Sequence, residues 1–106
     1  MKYSLNGLEI RIIWKLHRKH DYNKKHTSID NLKRGFPRDS GKDIARAIDS
    51  LIQQGILLVQ KKTKEDHVVL NIKKICLIKA VTDWFKSNMD KINKNELAQV
   101  RFEFEC

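Results

Sequence analysis

One glycine, Gly55, separates two kinds of pattern in this chain. Before it, Ile44, Ala47, Ile48, Leu51 and Ile52 recur at three- and four-residue steps, the stripe of an amphipathic helix. A glycine just past such a stripe suits the left-handed conformation that ends a helix. After it, Ile56 to Gln60 and His67 to Ile72 are short β-prone runs on either side of a charged turn, Lys61 to Asp66. That is the pattern of a two-stranded hairpin. A helix released by a glycine into a hairpin sets the class as α+β, mainly α.

The rest of the chain reads as further helices. Leu5, Leu8, Ile12, Ile13 and Leu16 predict a first helix running to about His20, with Arg11, Lys15, Arg18 and Lys19 on its other side. Residues 21–26 are polar and read as a loop. Thr27 or Ser28 is a good N-cap, since its hydroxyl can accept from a free N–H of the first turn. Ile29, Leu32 and Phe36 then mark the buried edge of a short second helix. Two glycines, Pro37 and the pair Asp39-Ser40 fall within residues 35–41 and predict a turn, with Asp39 or Ser40 capping the third helix. Leu77, Ile78, Val81, Trp84 and Phe85 lie along one face of a last helix over residues 73–89. Val100, Phe102 and Phe104 alternate with charged residues in a strand-like period at the end of a polar tail. The expected division is residues 1–72 as the main domain, 73–89 as an added helix and 90–106 as the tail.

With 106 residues there is room for one small domain, so a barrel enzyme or a two-domain dehydrogenase does not fit. Apolar runs such as Ile56 to Val59 fall far short of the roughly 18 residues of a membrane span. Residues 1–7 hold no long apolar stretch, so no secretory leader is expected and the location expected is cytoplasmic. Two unpatterned cysteines suit a reducing compartment without a disulfide framework, and Cys76 is expected to be a small core residue. The net charge is +9 and unevenly spread: residues 1–89 carry 19 Lys and Arg against 9 Asp and Glu, residues 90–106 carry 3 against 4. A basic body of this size suits a polyanion.

Three segments carry a family resemblance. Leu8-Glu9-Ile10-Arg11-Ile12-Ile13 resembles the opening of the first helix in many prokaryotic winged-helix regulators, with an archaeal cast. Leu51-Ile52-Gln53-Gln54-Gly55-Ile56-Leu57 is similar to their exit from the recognition helix into the wing, and His67-Val68-Val69-Leu70-Asn71 resembles the second wing strand. The likeness spans residues 5–72. It implies a winged helix-turn-helix of three helices and a two-stranded wing, with an added C-terminal helix, that binds duplex DNA as a small transcription regulator.

On that plan the third helix reads the major groove, where a helix fits and side chains reach base edges. Its outward residues are Lys42, Asp43, Arg46, Asp49, Ser50 and Gln53. Arg46 is the expected base contact and Lys42 a base or phosphate contact. Arg38 and Ser40 are expected on phosphate, Lys61, Lys62 and Lys64 in the wing, and Lys24 and Lys25 in the first loop. Arg11 and Lys15 read as an ordinary solvated face. Asp43 and Asp49 depart from the family pattern by placing acid on the reading face, where Asp49 could pair with Arg46. Leu77, Val81, Trp84 and Phe85 are expected either to form a homodimer suited to a palindromic site or to complete the core of one copy. Two other readings stay open: a protein-interaction winged helix docking through Phe102 and Phe104, and a nonspecific architectural DNA binder. No phosphate-binding glycine loop, nucleophile elbow or zinc-type cysteine pair is present, so no enzyme or cofactor is expected, and no small-molecule effector is identifiable from the sequence. His17, His20 and Asp21 share one helix face at metal-ligand spacing, but histidines also suit the negative end of a helix, and no metal is expected.

Overall fold

The first helix starts where a capping box forces it to. Asn6 accepts a hydrogen bond from the Glu9 backbone N–H at 2.8 Å, and the Asn6 N–H donates to Glu9 Oε1 at 2.9 Å. Two free donors of the first turn are thereby satisfied, and the chain before Asn6 is left extended. In this computed structural model, which describes residues 1–19, 22, 27–36, 41–61, 65–88 and 99–106, the consequence is a strand, β1 (Lys2–Asn6), followed by helix α1 (Gly7–Arg18). Leu5 therefore belongs to a strand and not to the helix that its spacing suggests, though it is fully buried as expected.

A two-residue strand β2 (Thr27–Ser28) leads into α2 (Ile29–Lys33), and Ser28 caps it by accepting from the Asn31 N–H at 3.2 Å. Helix α3 (Gly41–Gln53) comes next. Its end is a Schellman motif. Gly55 has φ +75°, its N–H donates to the Ile52 carbonyl, and the Ile56 N–H reaches back to Leu51 at 2.9 Å. Leu51 and Ile56, the apolar pair that accompanies such a motif, are both fully buried. Asn71 then holds the turn from outside, donating from Nδ2 to the Gly55 carbonyl and from its N–H to the Ile56 carbonyl.

Strands β3 (Leu57–Lys61) and β4 (Asp66–Leu70) form the hairpin, in register from Leu57 opposite Leu70 to Lys61 opposite Asp66. β2 adds on the other side of β4, giving an antiparallel sheet in the order β2-β4-β3. A 3₁₀ turn (Ile72–Lys74) leads into α4 (Ile75–Asn88), and β5 (Arg101–Glu105) returns to pair antiparallel with β1. The fold is mixed α+β, with helices packed around two small antiparallel sheets.

α1 is the central element, packed on both α3 and α4. Leu8, Ile12, Ile13 and Leu16 meet Ile44, Ile48 and Leu51 of α3, Leu77, Ile78, Val81 and Phe85 of α4, and Val68 and Leu70 of the sheet in one apolar core. Each such side chain contributes about 1.5–3 kcal/mol when fully buried. The last strand is part of this body. Phe104 enters the core and Phe102 packs on Trp84, with ring centroids 4.5 Å apart. Residues 99–106 are thus not a loose tail. The docking strand expected of Phe102 and Phe104 is already bonded to β1. Cys76 is exposed, contrary to expectation, and forms a disulfide with Cys106 across a Cα–Cα distance of 6.1 Å. Among the described residues no helix is long and apolar enough to cross a membrane.

Candidate nucleic-acid interface

The apolar stripe of α3 fixes which side chains can meet a partner. Ile44, Ala47, Ile48 and Leu51 are buried, so the opposite face is turned to solvent. Lys42, Arg46, Asp49 and Gln53 recur on that face at steps of four, three and four, and all are exposed, as is Asp43 beside them. Arg46 is exposed and makes no ion pair with Asp49 or any other acid among the described residues. Asp43 sits in the first turn of α3, where a carboxylate is favoured by the helix dipole.

Ser50 is not part of this open face. Its hydroxyl donates to Glu9 Oε2 at 2.8 Å, and Gln54 Nε2 donates both to Ser50 Oγ at 3.0 Å and to the same carboxylate oxygen at 3.3 Å. Glu9 is 1% exposed. Its other oxygen takes the Asn6 N–H, with Arg101 of β5 at 4.0 Å. One buried carboxylate thus ties the start of α1 to the end of α3. Sequence reading missed this role, although the Asn6-x-x-Glu9 spacing is itself a capping-box signal.

On the hairpin, Lys61 is exposed at the end of β3, opposite Asp66. The tip also carries Glu65, which lies 3.5 Å from His67. Leu58 and Val59, on opposite faces of β3, are 46% and 38% exposed, so the strand is partly open on both. Arg38, Ser40, Lys24, Lys25, Lys62 and Lys64 lie outside the described residues, as do His20 and Asp21. His17 Nδ1 lies 3.0 Å from the Tyr22 hydroxyl, whose burial pushes its pKa up. Among the described residues no cluster of ligands could hold a metal ion.

α4 fits the second of its two expected roles, and the reading of Arg11 and Lys15 is corrected. Leu77, Val81 and Phe85 are at most 2% exposed and belong to the chain's own core, because α4 packs directly on α1. Trp84 is half-buried against Phe102 and Phe104, so none of the four offers an open dimer surface. Arg11 and Lys15 are half-buried walls of a cleft, not a solvated face.

No protein-family model and no curated protein matches the sequence. The fold is similar to that of a solved structure described as a possible transcriptional regulator for arsenical resistance. The two superpose with a TM-score of 0.52 over 84% of this chain and 98% of that one, at 18% sequence identity. At that identity the likeness is one of fold.

Proposed function

We propose that this chain is a winged helix-turn-helix transcription regulator that binds duplex DNA. In this reading α2 and α3 are the helix-turn-helix, α3 enters the major groove, and the β3–β4 hairpin is the wing. The observation that carries it is the open face of α3. Lys42, Arg46 and Gln53 stand exposed in one row on a helix whose other side is locked into the core and whose end is held by Glu9. Arg46 can bond a guanine edge with two parallel hydrogen bonds, and Lys42 and Lys61 can take phosphates. Arg38, Ser40, Lys24, Lys25, Lys62 and Lys64 are proposed as further phosphate contacts. The net charge of +9 favours the encounter. A DNA target fits a cytoplasmic location. A homodimer on a palindromic site belongs to the same reading, through surfaces other than the buried residues of α4.

Binding to a labelled mixed-sequence duplex, titrated at two salt concentrations, tests the proposal. Affinity falls steeply as salt rises, because bound lysines and arginines release condensed counterions. Unlabelled competitors of different sequence compete unequally if α3 reads bases, and equally if the protein is an architectural binder. Failure to bind at low salt overturns the DNA reading.

A further inference from the structure

A cleft of about 530 Å³ opens on the side of α1 that faces away from the core. Four cations line it: Arg11, Lys15, Arg18 and Lys19. The first and last are eight positions apart, or about 12 Å along the helix at about 1.5 Å per residue. None has a carboxylate within ion-pair distance among the described residues. The floor and walls are aromatic. Trp14 comes from α1 itself, Phe36 from the segment after α2, and Phe85 from α4. Trp14 lies 5.1 Å from Phe85 between ring centroids, and the Arg18 guanidinium is 6.0 Å from the Trp14 ring. Gly35 closes the far side without a side chain, and a Cβ there would press on the end of Lys15. Lys15 Nζ donates to the Leu32 carbonyl at 3.3 Å, which holds the ammonium at the cleft and leaves it further donors. Burial, and then the neighbouring Lys19, push the Lys15 pKa below the ordinary lysine range. An anion arriving here would relieve that crowding.

Four cations with no carboxylate partner among the described residues ask for more than one negative charge. Aromatic walls ask for a planar ring, since ring faces attract both other rings and cations. The volume falls in the range of small-molecule sites, roughly 300–1,000 Å³. We propose that this cleft binds a nucleotide, its base seated against Trp14 and Phe36 and its phosphates held by Arg11, Lys15, Arg18 and Lys19. The nucleotide has two sources, a free one or the terminal residue of a nucleic-acid strand. No residue of α3 lines the cleft, and the proposal does not depend on the duplex reading.

Trp14 is the reporter. Trp84→Phe leaves it as the sole tryptophan of the chain. AMP, adenosine, inorganic phosphate and benzoate are titrated at low salt, and then a short 5′-phosphorylated single strand. AMP produces saturable quenching, and adenosine, phosphate and benzoate each bind roughly tenfold more weakly or worse, because each lacks the charge or the base. Arg18→Gln with Lys19→Gln, both at exposed positions, lowers AMP affinity by roughly tenfold or more. Its unchanged circular dichroism shows the fold intact. A strand that binds more tightly than AMP identifies a strand end as the source, and one that does not identifies the free nucleotide. The proposal is overturned if phosphate or benzoate matches AMP, if no ligand quenches saturably, or if the double variant binds AMP unchanged. Duplex binding by the same variant is read separately, so that failure of either proposal is seen on its own.

Discussion

The outer faces of α1 and α3 both carry basic side chains at helical spacing, yet they are different kinds of surface. On α3 the charges alternate in sign, Lys42 and Arg46 with Asp43 and Asp49, and each stands in open solvent. On α1 the charges are of one sign and Arg11 and Lys15 are half-covered, because Phe36 and Phe85 stand over the helix from distant parts of the chain. A helix sequence determines which of its faces turns outward. It does not determine what other segment stands beside that face. A convex, mixed-charge row suits an extended polyanion read along its length. A concave, singly charged, aromatic-walled one suits a small anion.

Substitutions and reduction should act on these two faces unequally. The largest effect is expected at the disulfide, which ties the end of β5 to α4, one wall of the cleft. Closing a loop of 30 residues stabilises the fold by about 3–4 kcal/mol in the chain-entropy model. Denaturant unfolding with and without reductant should show a loss of that order, and nucleotide binding should weaken while α3 keeps its affinity for duplex. Equal stability in both conditions would mean that the wall is held by apolar packing alone.

Glu9→Ala acts on the opposite face. It removes the capping carboxylate and leaves Ser50 and Gln54 without their acceptor. A cost of about 2–3 kcal/mol is expected from the lost bonds to a buried charged group. Duplex affinity should fall with it and AMP affinity should not, as judged by parallel titrations. Matching losses in both would show that the two faces are not independent.

Arg46→Ala tests the α3 face alone. A loss of about 1–3 kcal/mol in binding to a selected sequence is expected, with a smaller change for unrelated duplexes. If competition profiles are identical before and after, α3 is not the reader.

The smallest effect concerns the α1 side. Lys15 has a lowered pKa in the folded chain, so over the interval from that pKa up to the ordinary lysine value the unfolded chain holds more protons. Stability therefore rises with pH across that interval. Lys15→Met should remove the rise and leave a flatter curve of melting temperature against alkaline pH. A rise that persists in the variant would assign it to another group.

Much of the fold was legible because its signals are local. Ser28 caps α2, Gly55 ends α3, and the hairpin and last helix fall within two residues of the runs that announce them. What escaped was pairing over long separations. β1 is five residues whose partner lies about a hundred positions away, and β2 is two residues completed by β4. β2 is too short to show a period of its own, and in β1 only Tyr3 and Leu5 alternate before the helical stripe takes over. Leu5 fitted the helical stripe, and only the Asn6–Glu9 box marks the true boundary. Cys76 fitted a core position until β5 brought Cys106 to it. The exposed row of α3 was legible because it needs only one helix. The cleft was not, because it needs three segments and a glycine.

The pairing of β1 with β5 has a mechanical meaning. Lys2 lies opposite Glu105, and the Met1 amine bonds the Cys106 carbonyl at 3.1 Å. Tension applied at residues 1 and 106 would load one bonded pair at a time, so the two strands would unzip at low force. The extension reached after that first step depends on the disulfide. A reduced chain releases its whole length, whereas the closed loop between Cys76 and Cys106 withholds 30 residues, roughly 100 Å of extended chain. The length released by a single pulled molecule is thus a direct record of whether its sulfurs are joined.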